Sequence, residues 1–247
     1  MAQPYLSIII PAYNEAERIP QTLLSIDKHL SNADYSYEIL VVNDGSRDNT
    51  GTIVKNMAKM VKNLKLIDMP ENSGKGGAVR QGILLATGRI RLFADADNST
   101  SIDQFEKMMP LFKEGYEVVI GSRALKGSTL DPAESPYRQL SGKIGNLIFQ
   151  LTLGLWGIYD TQCGFKAFTE EAAEKIFKIA TIVGWGFDVE ILTLARRMGY
   201  KIGTIPVHWV NDARSHVKAS TYLKVLKETA IIRWKLWRQE YPIYPTL

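Results

Sequence analysis

Short apolar runs alternate along the first half of the chain with segments whose apolar residues recur every three or four positions. The runs at 6–10 and 38–42 are mainly apolar, which is typical of strands buried on both faces of a parallel sheet. Between them, the segment 19–30 carries its apolar residues at helical spacing. These three segments predict a β-α-β unit.

The same alternation continues as far as residue 120. Further strands are predicted at 64–67, 90–94 and 116–120, and further helices at 53–61, 78–86 and 102–112. Strands that alternate with helices in this rhythm indicate an α/β fold built on a doubly wound, mostly parallel sheet.

The alternation breaks after Gly121, where a long loop is predicted at 122–138. Beyond it the pattern predicts a helix at 139–156, a polar segment at 160–168, helices at 170–179 and 187–198, a strand at 201–207, a loop at 211–219 and a terminal helix at 222–238. We expect residues 1–210 to form one α/β domain. Residues 211–247 are expected to add a loop and a C-terminal amphipathic helix to the same structural unit.

Composition limits the class of protein. The chain has 247 residues and 45% of them are apolar, which is enough for a substantial globular core. Its single cysteine, Cys163, allows no intrachain disulfide and fits a reducing compartment. The first ten residues lack the features of a signal peptide. The longest uncharged stretch, 144–159, has 16 residues. A membrane-spanning helix needs about 20, so we expect none.

The positive charge is concentrated near the C-terminus. Of the net charge of +4, residues 220–247 carry +3, from five basic and two acidic side chains. Trp234 and Trp237 lie among these charges, and this combination favours an anionic membrane surface over nucleic acid as the partner. The uncharged stretch 144–159 is a second candidate for lying on a membrane surface. In the alternative interpretation both helices pack on the domain or in a homo-oligomer.

Asp95-Ala-Asp97 is the sharpest chemical signal, because it directly follows a predicted apolar strand. In an extended backbone, residues two apart project to the same side, so the two carboxylates are expected to lie together. Two such charges repel unless a cation lies between them, and hard oxygen ligands favour Mg²⁺ or Mn²⁺. The alternative for so short a pattern is a pair of solvated loop carboxylates.

Polar or glycine-rich segments follow each of the first four predicted strands, at 11–15, 43–50, 72–77 and 95–97. The carboxyl ends of parallel strands meet at one edge of a sheet, which is where open α/β sheets bind ligands. These segments together therefore predict a composite ligand site.

Several other classes are excluded by missing motifs. No G-x-G-x-x-G follows the first strand and no G-x-x-x-x-G-K-[ST] occurs, which argues against a dinucleotide oxidoreductase and a P-loop nucleotidase. The zinc spacings, H-E-x-x-H and G-x-S-x-G are also missing. We assign no catalytic role to His29, His208, His216 or Cys163.

These motifs resemble those of family 2 glycosyltransferases of the GT-A fold, over about residues 6–218. Within that family the resemblance is to the polyprenyl- and dolichyl-phosphate sugar synthases. The segment Asp-Thr-Gln-Cys-Gly-Phe-Lys at 160–166 is similar to the dolichyl-phosphate β-glucosyltransferase branch. One departure is Asn43, since relatives commonly have an Asp before the position of Asp44.

The resemblance implies a donor site and a metal site. The residues implied to contact the nucleotide sugar are Pro11, Ala12, Tyr13, Glu15, Asp44, Lys75 and Asp95. Among them, Asp44 would bind the base, and Lys75, at the start of a helix, would approach the diphosphate. Asp95 and Asp97 are the implied ligands of Mg²⁺ or Mn²⁺. Ser99 stands where some relatives have a third ligand, a Gln, so we expect water to complete the metal's coordination.

Basic residues in the later loops are implied to bind the acceptor. Arg123, Arg138, Arg214 and Lys218 resemble the residues that hold the lipid phosphate and the donor diphosphate, a task that suits Arg. Asp160 joins Arg123 and Arg138 in the implied catalytic set, either as a general base or as an orienting residue. We favour orientation, because a phosphate monoester has a second pKa near 6 and is ionised at neutral pH.

The implied reaction is the inverting transfer of glucose from UDP-glucose to polyprenyl (dolichyl) phosphate. The protein is expected on the cytoplasmic face of a membrane, bound peripherally. Alternatives are a GDP-mannose-dependent mannose synthase, transfer to a soluble glycan, and a non-catalytic nucleotide-sugar-binding module. The presence of both acidic metal positions and of the later basic residues argues against the non-catalytic module.

Overall fold

A computed structural model describes residues 3–132, 136–210 and 219–242. Its centre is a seven-stranded sheet with helices on both faces, and a second sheet has two short strands. The strands are β1 (Leu6–Ala12), β2 (Tyr37–Asp44), β3 (Leu64–Met69), β4 (Ile90–Ala94), β5 (Val118–Ser122), β6 (Thr129–Asp131), β7 (Phe165–Thr169), β8 (Ile202–Pro206) and β9 (His208–Val210).

The helices alternate with the strands through most of the chain. They are α1 (Ile19–Leu30), α2 (Thr50–Met57), α3 (Lys75–Leu85), α4 (Met109–Lys113), α5 (Pro136–Leu153), α6 (Glu170–Ile179), α7 (Phe187–Arg197) and α8 (Ala219–Trp237), together with a 3-10 helix at Ile102–Lys107. The predicted doubly wound, mostly parallel sheet is confirmed.

The order of strands in the large sheet is β3-β2-β1-β4-β7-β5-β8. The chain runs outward from β1 to β3 and returns to β4 on the other side of β1, so the winding direction changes between β1 and β4. Strand β7 alone runs antiparallel, and it lies between β4 and β5. Its first residue, Phe165, therefore pairs with Ala94 at the carboxyl end of β4.

The core explains why the apolar runs are continuous. Ile8 and Ile10 of β1 pack on one face of the sheet with Leu23 of α1, whereas Ile9 packs on the other face with Val79 of α3. All five side chains are fully buried. Each burial of this kind contributes roughly 1.5–3 kcal/mol, so the first strand is held from both faces.

Two predicted elements were wrong in detail. The expected single helix at 102–112 is a 3-10 helix followed by α4, and Pro110 lies in the first turn of α4, where its missing N–H costs nothing. The expected loop at 122–138 contains β6, and α5 already begins at Pro136 rather than at residue 139. Strand β6 pairs in parallel with β9, so part of this loop is tied to residues 208–210.

The C-terminal helix α8 has two different faces. Val225, Thr229 and Ile232 are buried, and α8 contacts α5 and α7. Trp234 and Trp237 are 49% and 76% exposed on another face, as the predicted amphipathic stripe requires. In the parts of the chain that the structure describes, no helix has the length and apolar character needed to cross a membrane.

Candidate active site

The loops that follow β1 and β2 are joined at the carboxyl edge of the sheet. Asn14 N–H donates to Ser46 Oγ at 3.0 Å, and Asn14 Oδ1 accepts from Arg47 N–H at 2.9 Å. Asn14 has a φ of 56°, a left-handed conformation that Asn adopts more readily than most residues. Glu15 N–H donates to Thr50 Oγ1 at 2.8 Å. Two segments expected to line one site are therefore fixed to each other.

The carboxylate of Asp44 holds the next loop. It accepts hydrogen bonds from Ser73 N–H at 2.7 Å, Ser73 Oγ at 2.9 Å, Asn72 Nδ2 at 3.0 Å and Gly74 N–H at 3.0 Å. A carboxylate has about four lone-pair sites, so these donors use its capacity. The predicted contact between this carboxylate and a nucleotide base would require release of one of these bonds. In the structure, Asp44 positions the loop at 72–74.

The departure at Asn43 has a local explanation. Asn43 Nδ2 donates to Asp68 Oδ1 at 2.6 Å, and Asn43 Oδ1 accepts from Ser46 N–H at 3.3 Å. A carboxylate at position 43 would face Asp68 with a like charge. The amide at Asn43 is therefore matched to a residue of β3, the neighbouring strand.

The predicted acidic pair is formed directly after β4. Asp95 Oδ1 lies 2.7 Å from Lys75 Nζ, and Asp97 Oδ1 accepts from Ser99 N–H at 3.0 Å. A side chain at Gly164 would collide with the carboxylate of Asp95. Glycine is thus required at position 164 for the approach of the polar segment that precedes β7.

Arg18 connects Asp97 to Glu15. Its guanidinium makes two bonds to the Glu15 carboxylate, at 2.5 and 2.7 Å, and lies 3.5 Å from Asp97 Oδ2. Glu15 and Arg18 are both buried. The predicted donor residue Glu15 therefore orients an arginine toward the acidic pair.

The chemistry of the acidic pair fits a divalent cation. Burial and then the charge of Asp95 raise the pKa of Asp97, although Ser99 and Arg18 act in the opposite direction. A cation between the two carboxylates would remove this repulsion. No cluster of three or more His, Cys, Asp or Glu side chains suited to a metal lies among the described residues. The carboxylates of Asp95 and Asp97 would then need water or donor oxygens to complete the coordination, as Mg²⁺ commonly does.

Ser99 supports the carboxylate of Asp97. It is buried, and its hydrogen bonds go to Asp97. Its main-chain carbonyl accepts from Val210 N–H at 2.8 Å, which ties the loop after β4 to β9. In this structure Ser99 supports a predicted ligand, and its role as a direct metal ligand stays a prediction.

Two N–H groups at the start of α3 are bonded within the protein. Gly76 and Gly77 N–H both donate to the carbonyl oxygen of Val183, at 2.8 and 3.3 Å. These two N–H groups are thus occupied within the protein. What this helix start offers is the side chain of Lys75, whose ammonium also lies 5.2 Å from the centre of the Trp185 ring.

Lys75 stays charged in this surrounding. Burial alone would lower the pKa of its ammonium, but Asp95 and Asp188 more than offset that effect, and the pKa is raised. Asp188 in turn bonds the fully buried Lys166 at 2.5 Å, and Lys166 Nζ also donates to the Cys163 carbonyl. Burial raises the pKa of Asp188, while Lys166 and Lys75 oppose it. Lys75, Asp188 and Lys166 therefore form a chain of charged groups beside the predicted donor residues.

Asp160 and Arg123 lie at the same edge because of β7. The guanidinium of Arg123 grips the Asp160 carboxylate with two bonds, at 2.8 and 2.9 Å, and Arg123 N–H adds a third at 2.8 Å. Arg123 follows β5, whereas Asp160 lies shortly before β7, and these strands pair antiparallel. Arg123 also lies over the Trp209 ring at 5.4 Å.

The surroundings of Asp160 favour an orienting role over a general base. Burial tends to raise its pKa, but the charge and hydrogen bonds of Arg123 more than offset this, and the pKa lies below its usual range. A carboxylate with a lowered pKa is a weak base. Its hydrogen bonds hold Arg123 in place, which supports the interpretation preferred from the sequence.

The remaining predicted site residues lie at or just after the end of β1, or have side chains outside the described part of the chain. Pro11 and Ala12 end β1, and the side chain of Ala12 is buried. Tyr13 is 38% exposed beside them. Arg138 lies in the first turn of α5, but its side chain is outside the described residues, as are Arg214 and Lys218 altogether.

The sequence interpretation missed Arg18, Trp185 and the Lys166–Asp188 pair. Arg18 carried a usable signal, since it stands three residues after Glu15, the spacing of an ion pair within one turn. Lys166 and Asp188 are 22 residues apart and meet only through the packing of β7 on α7. No local sequence pattern predicts such an ion pair.

Known proteins resemble this chain in sequence and in fold. The profile named Glycosyl transferase family 2 matches residues 7–177. A dolichyl-phosphate beta-glucosyltransferase of Trichomonas vaginalis is 38% identical over 234 residues, which covers 91% of this chain and 71% of that protein. The dolichyl-phosphate beta-glucosyltransferase of Dictyostelium discoideum is 38% identical over 244 residues, covering 94% and 74%.

A solved structure supports the fold. Glucosyl-3-phosphoglycerate synthase from Mycobacterium tuberculosis, crystallised with Mn²⁺, UDP and glucosyl-3-phosphoglycerate, matches with a TM-score of 0.69. The identity is 20%, and the match covers 93% of this chain and 80% of that one. The chain belongs to glycosyl transferase family 2, and it is a glycosyltransferase with the expected GT-A-like architecture.

Proposed function

We propose that this glycosyltransferase moves glucose from UDP-glucose to dolichyl phosphate, with inversion at the anomeric carbon. The names of the relatives from Trichomonas vaginalis and Dictyostelium discoideum support both the sugar and the lipid acceptor. These names do not state the nucleotide of the donor. The choice of UDP rests on the similarity of the segment 160–166 to the same branch.

The observation that carries the proposal is the meeting of two charge systems at one sheet edge. Asp95 and Asp97, with Lys75 beside them, form a site for a cation and a diphosphate. Arg123, held by Asp160, places a positive charge suited to a second phosphate. An enzyme that joins a nucleotide sugar to a phosphate acceptor needs both systems close together.

On the donor side, Asp95 and Asp97 would hold Mg²⁺ or Mn²⁺. The bound cation would neutralise negative charge on the departing nucleoside diphosphate. Lys75 adds a fixed positive charge on the same side, which stabilises the leaving group in the same way. Arg18 keeps Asp97 oriented through its bond network with Glu15.

On the acceptor side, Arg123 would bind the phosphate of the lipid. This phosphate is already ionised at neutral pH, so its oxygen attacks the anomeric carbon without a protein base. Asp160 fixes the direction of the Arg123 guanidinium and thereby the line of attack. Arg138, Arg214 and Lys218 stay proposed partners of the same phosphate.

The lipid acceptor also requires contact with a membrane surface, and α5 and α8 offer apolar surface for it. The exposed apolar side chains on these two helices are Leu140, Ile144, Leu147, Leu151, Tyr222, Leu223, Leu226, Trp234 and Trp237. A groove of about 510 Å³ between the helices is lined by Ile148, Leu226, Trp234 and Trp237 among others. Lys224, Lys227 and Arg238 flank this surface and favour anionic lipid.

The test is a donor panel with identified products. Purified protein is incubated with dolichyl phosphate, Mg²⁺ or Mn²⁺ and, separately, UDP-glucose, UDP-galactose, UDP-N-acetylglucosamine or GDP-mannose. Mass spectrometry should detect dolichyl phosphate glucose with UDP-glucose, and NMR should assign the β anomer. Transfer from GDP-mannose alone, or no lipid product with any donor, would contradict the proposal.

A further inference from the structure

The loop at 181–186 forms one wall of the donor side. Its Val183 carbonyl accepts the N–H groups of Gly76 and Gly77 at the start of α3, and its Trp185 ring faces the Lys75 ammonium at 5.2 Å. Lys75 in turn contacts Asp95. The loop therefore contacts both the start of α3 and the lysine proposed to bind the donor diphosphate.

A carboxylate of the C-terminal helix holds that loop. Glu228 of α8 accepts from Gly186 N–H at 2.6 Å. A side-chain carbon at Gly186 would lie 2.7 Å from Glu228 Oε2, and one at Gly184 would collide with the same carboxylate. Gly186 has a φ of −79°, which any residue adopts, so the demand for glycine comes from the close approach of Glu228.

Two further bonds tie the C-terminal segment to the same loop. Lys235 Nζ donates to Thr181 Oγ1 at 2.8 Å. Tyr241 Oη donates to Glu190 at 2.7 Å, and Glu190 accepts the N–H groups of Thr181 and Ile182. The loop is thus held on the side away from α3 by α8 and the residues that follow it.

We propose that Glu228 is a positioning residue for the donor site, acting through the loop at 181–186 and Trp185 on Lys75. It touches neither substrate in this proposal. A hydrogen bond from a backbone N–H to a carboxylate is about twice as strong as a neutral one, so this contact fixes the loop firmly. The inference rests on the proposed function, because it assumes that Lys75 binds the donor diphosphate.

This arrangement links the donor site to the surface proposed to meet the membrane. Glu228 lies on the protein-facing side of α8, while Trp234 and Trp237 of the same helix are exposed. A ligand that shifts α8 and a nucleotide that fixes Lys75 then influence each other by the same free energy, since such coupling is reciprocal. The contacts of Glu228, Lys235 and Tyr241 with the loop and with Glu190 would transmit it.

The experiment measures UDP binding in the presence of Mn²⁺ by calorimetry, for the wild type and for Glu228→Ala and Glu228→Gln. Glu228→Ala should weaken UDP binding on the order of tenfold, the loss of one charge-assisted hydrogen bond. Glu228→Gln keeps an acceptor oxygen and should lose less. The KM for dolichyl phosphate should stay unchanged, which a general loss of fold would not allow. Glu240→Gln, an exposed acid of the same segment paired with Arg238, is the matched control.

A second variant approaches the contact from the other side. Gly184→Ala should weaken UDP binding in the wild type, because its methyl group pushes the Glu228 carboxylate away. The three atoms nearest to that methyl position all belong to the Glu228 carboxylate, so Glu228→Ala removes this collision. The two effects should therefore not add, as expected of residues in direct contact.

The outcomes separate the two claims. If the wild type does not bind UDP, the proposed function fails and this inference fails with it. If the wild type binds UDP but Glu228→Ala and Glu228→Gln bind it equally well, only the inference is overturned. Additive effects of Gly184→Ala and Glu228→Ala, or an equal rise in both KM values together with a lower melting temperature, would also overturn it.

Discussion

The donor and acceptor halves of the candidate site are built in different ways. In the donor half, loops that follow four consecutive parallel strands fix one another, through Asp44, Asn14 and the Glu15–Arg18 pair. In the acceptor half, Arg123 and Asp160 come from segments 37 residues apart and meet only because β7 inserts antiparallel beside β5. The donor half follows from the regular alternation of strands and helices, whereas the acceptor half depends on the antiparallel strand β7, which departs from that alternation.

This difference predicts that the two halves fail differently. Donor-side substitutions should remove nucleotide binding and transfer together, since the diphosphate is proposed to bind beside the cation held by Asp95 and Asp97. Acceptor-side substitutions should reduce transfer while the nucleotide still binds.

Asp97→Ala should give the largest loss, on the order of 10³ in transfer rate, because one of two carboxylates available to a divalent cation is removed. Steady-state assays with UDP-glucose and dolichyl phosphate measure it, and calorimetry should find weaker UDP binding with Mn²⁺. Asp34→Ala, at an exposed acid outside the site, serves as the control. Full activity of Asp97→Ala, or of the wild type in EDTA, would show that transfer does not require a divalent cation at this site.

Arg123→Ala should raise the KM for dolichyl phosphate by on the order of tenfold to a hundredfold, the loss of charged hydrogen bonds to a phosphate. The KM for UDP-glucose should change little. Arg196→Ala, an exposed arginine that bonds the Gly154 carbonyl, is a matched control. An equal rise in the KM values for both substrates would contradict the division of the site into a donor half and an acceptor half.

The pH dependence of the transfer rate should show no limb that comes from titration of Asp160. Its lowered pKa means that its stabilising contribution is complete above the pKa of the unfolded chain and is lost only as pH falls through the folded value. Between about pH 5 and 8 an acid limb then belongs to the acceptor phosphate, whose second pKa is about 6. Asp160→Asn should lower the rate and keep that limb. Disappearance of the limb only in Asp160→Asn would identify Asp160 as a general base.

Asn43→Asp should have the smallest effect, about 1 kcal/mol of lost stability, because the new carboxylate faces the exposed Asp68. The loss should shrink as pH falls and one carboxyl of the pair is protonated. Denaturant titrations at two pH values measure it, and Asn43→Asp/Asp68→Asn should recover the wild-type value. A loss of donor binding with unchanged stability would instead assign Asn43 to the site.

Much of the donor half could be predicted from the sequence because its signals are local. An apolar run followed by Asp95-Ala-Asp97 specifies both a strand and the chemistry at its end. The same holds for Asp44, the last residue of β2, as a residue of the site edge. Its saturation by the loop at 72–74 could not be predicted, since it depends on how β3 and α3 are joined in space.

The acceptor half was less predictable because its contacts are long-range. The apolar pattern located β7 only as part of a segment at 160–168, without its antiparallel direction, and the long loop hid β6. On the donor side, the contact of Glu228 with Gly186 is long-range as well, since it joins residues 42 apart through two close-packed segments. Such contacts follow from packing, and no spacing rule within one element encodes them.

The division into two halves is tested most directly by UDP binding to Arg123→Ala/Asp160→Asn. This double variant removes the charge of both partners, so no buried charge is left unpaired. With Mn²⁺ present, calorimetry should give a dissociation constant for UDP within about twofold of the wild-type value, as expected for independent sites. A loss of UDP affinity of about tenfold or more, about 1.4 kcal/mol, would contradict the account.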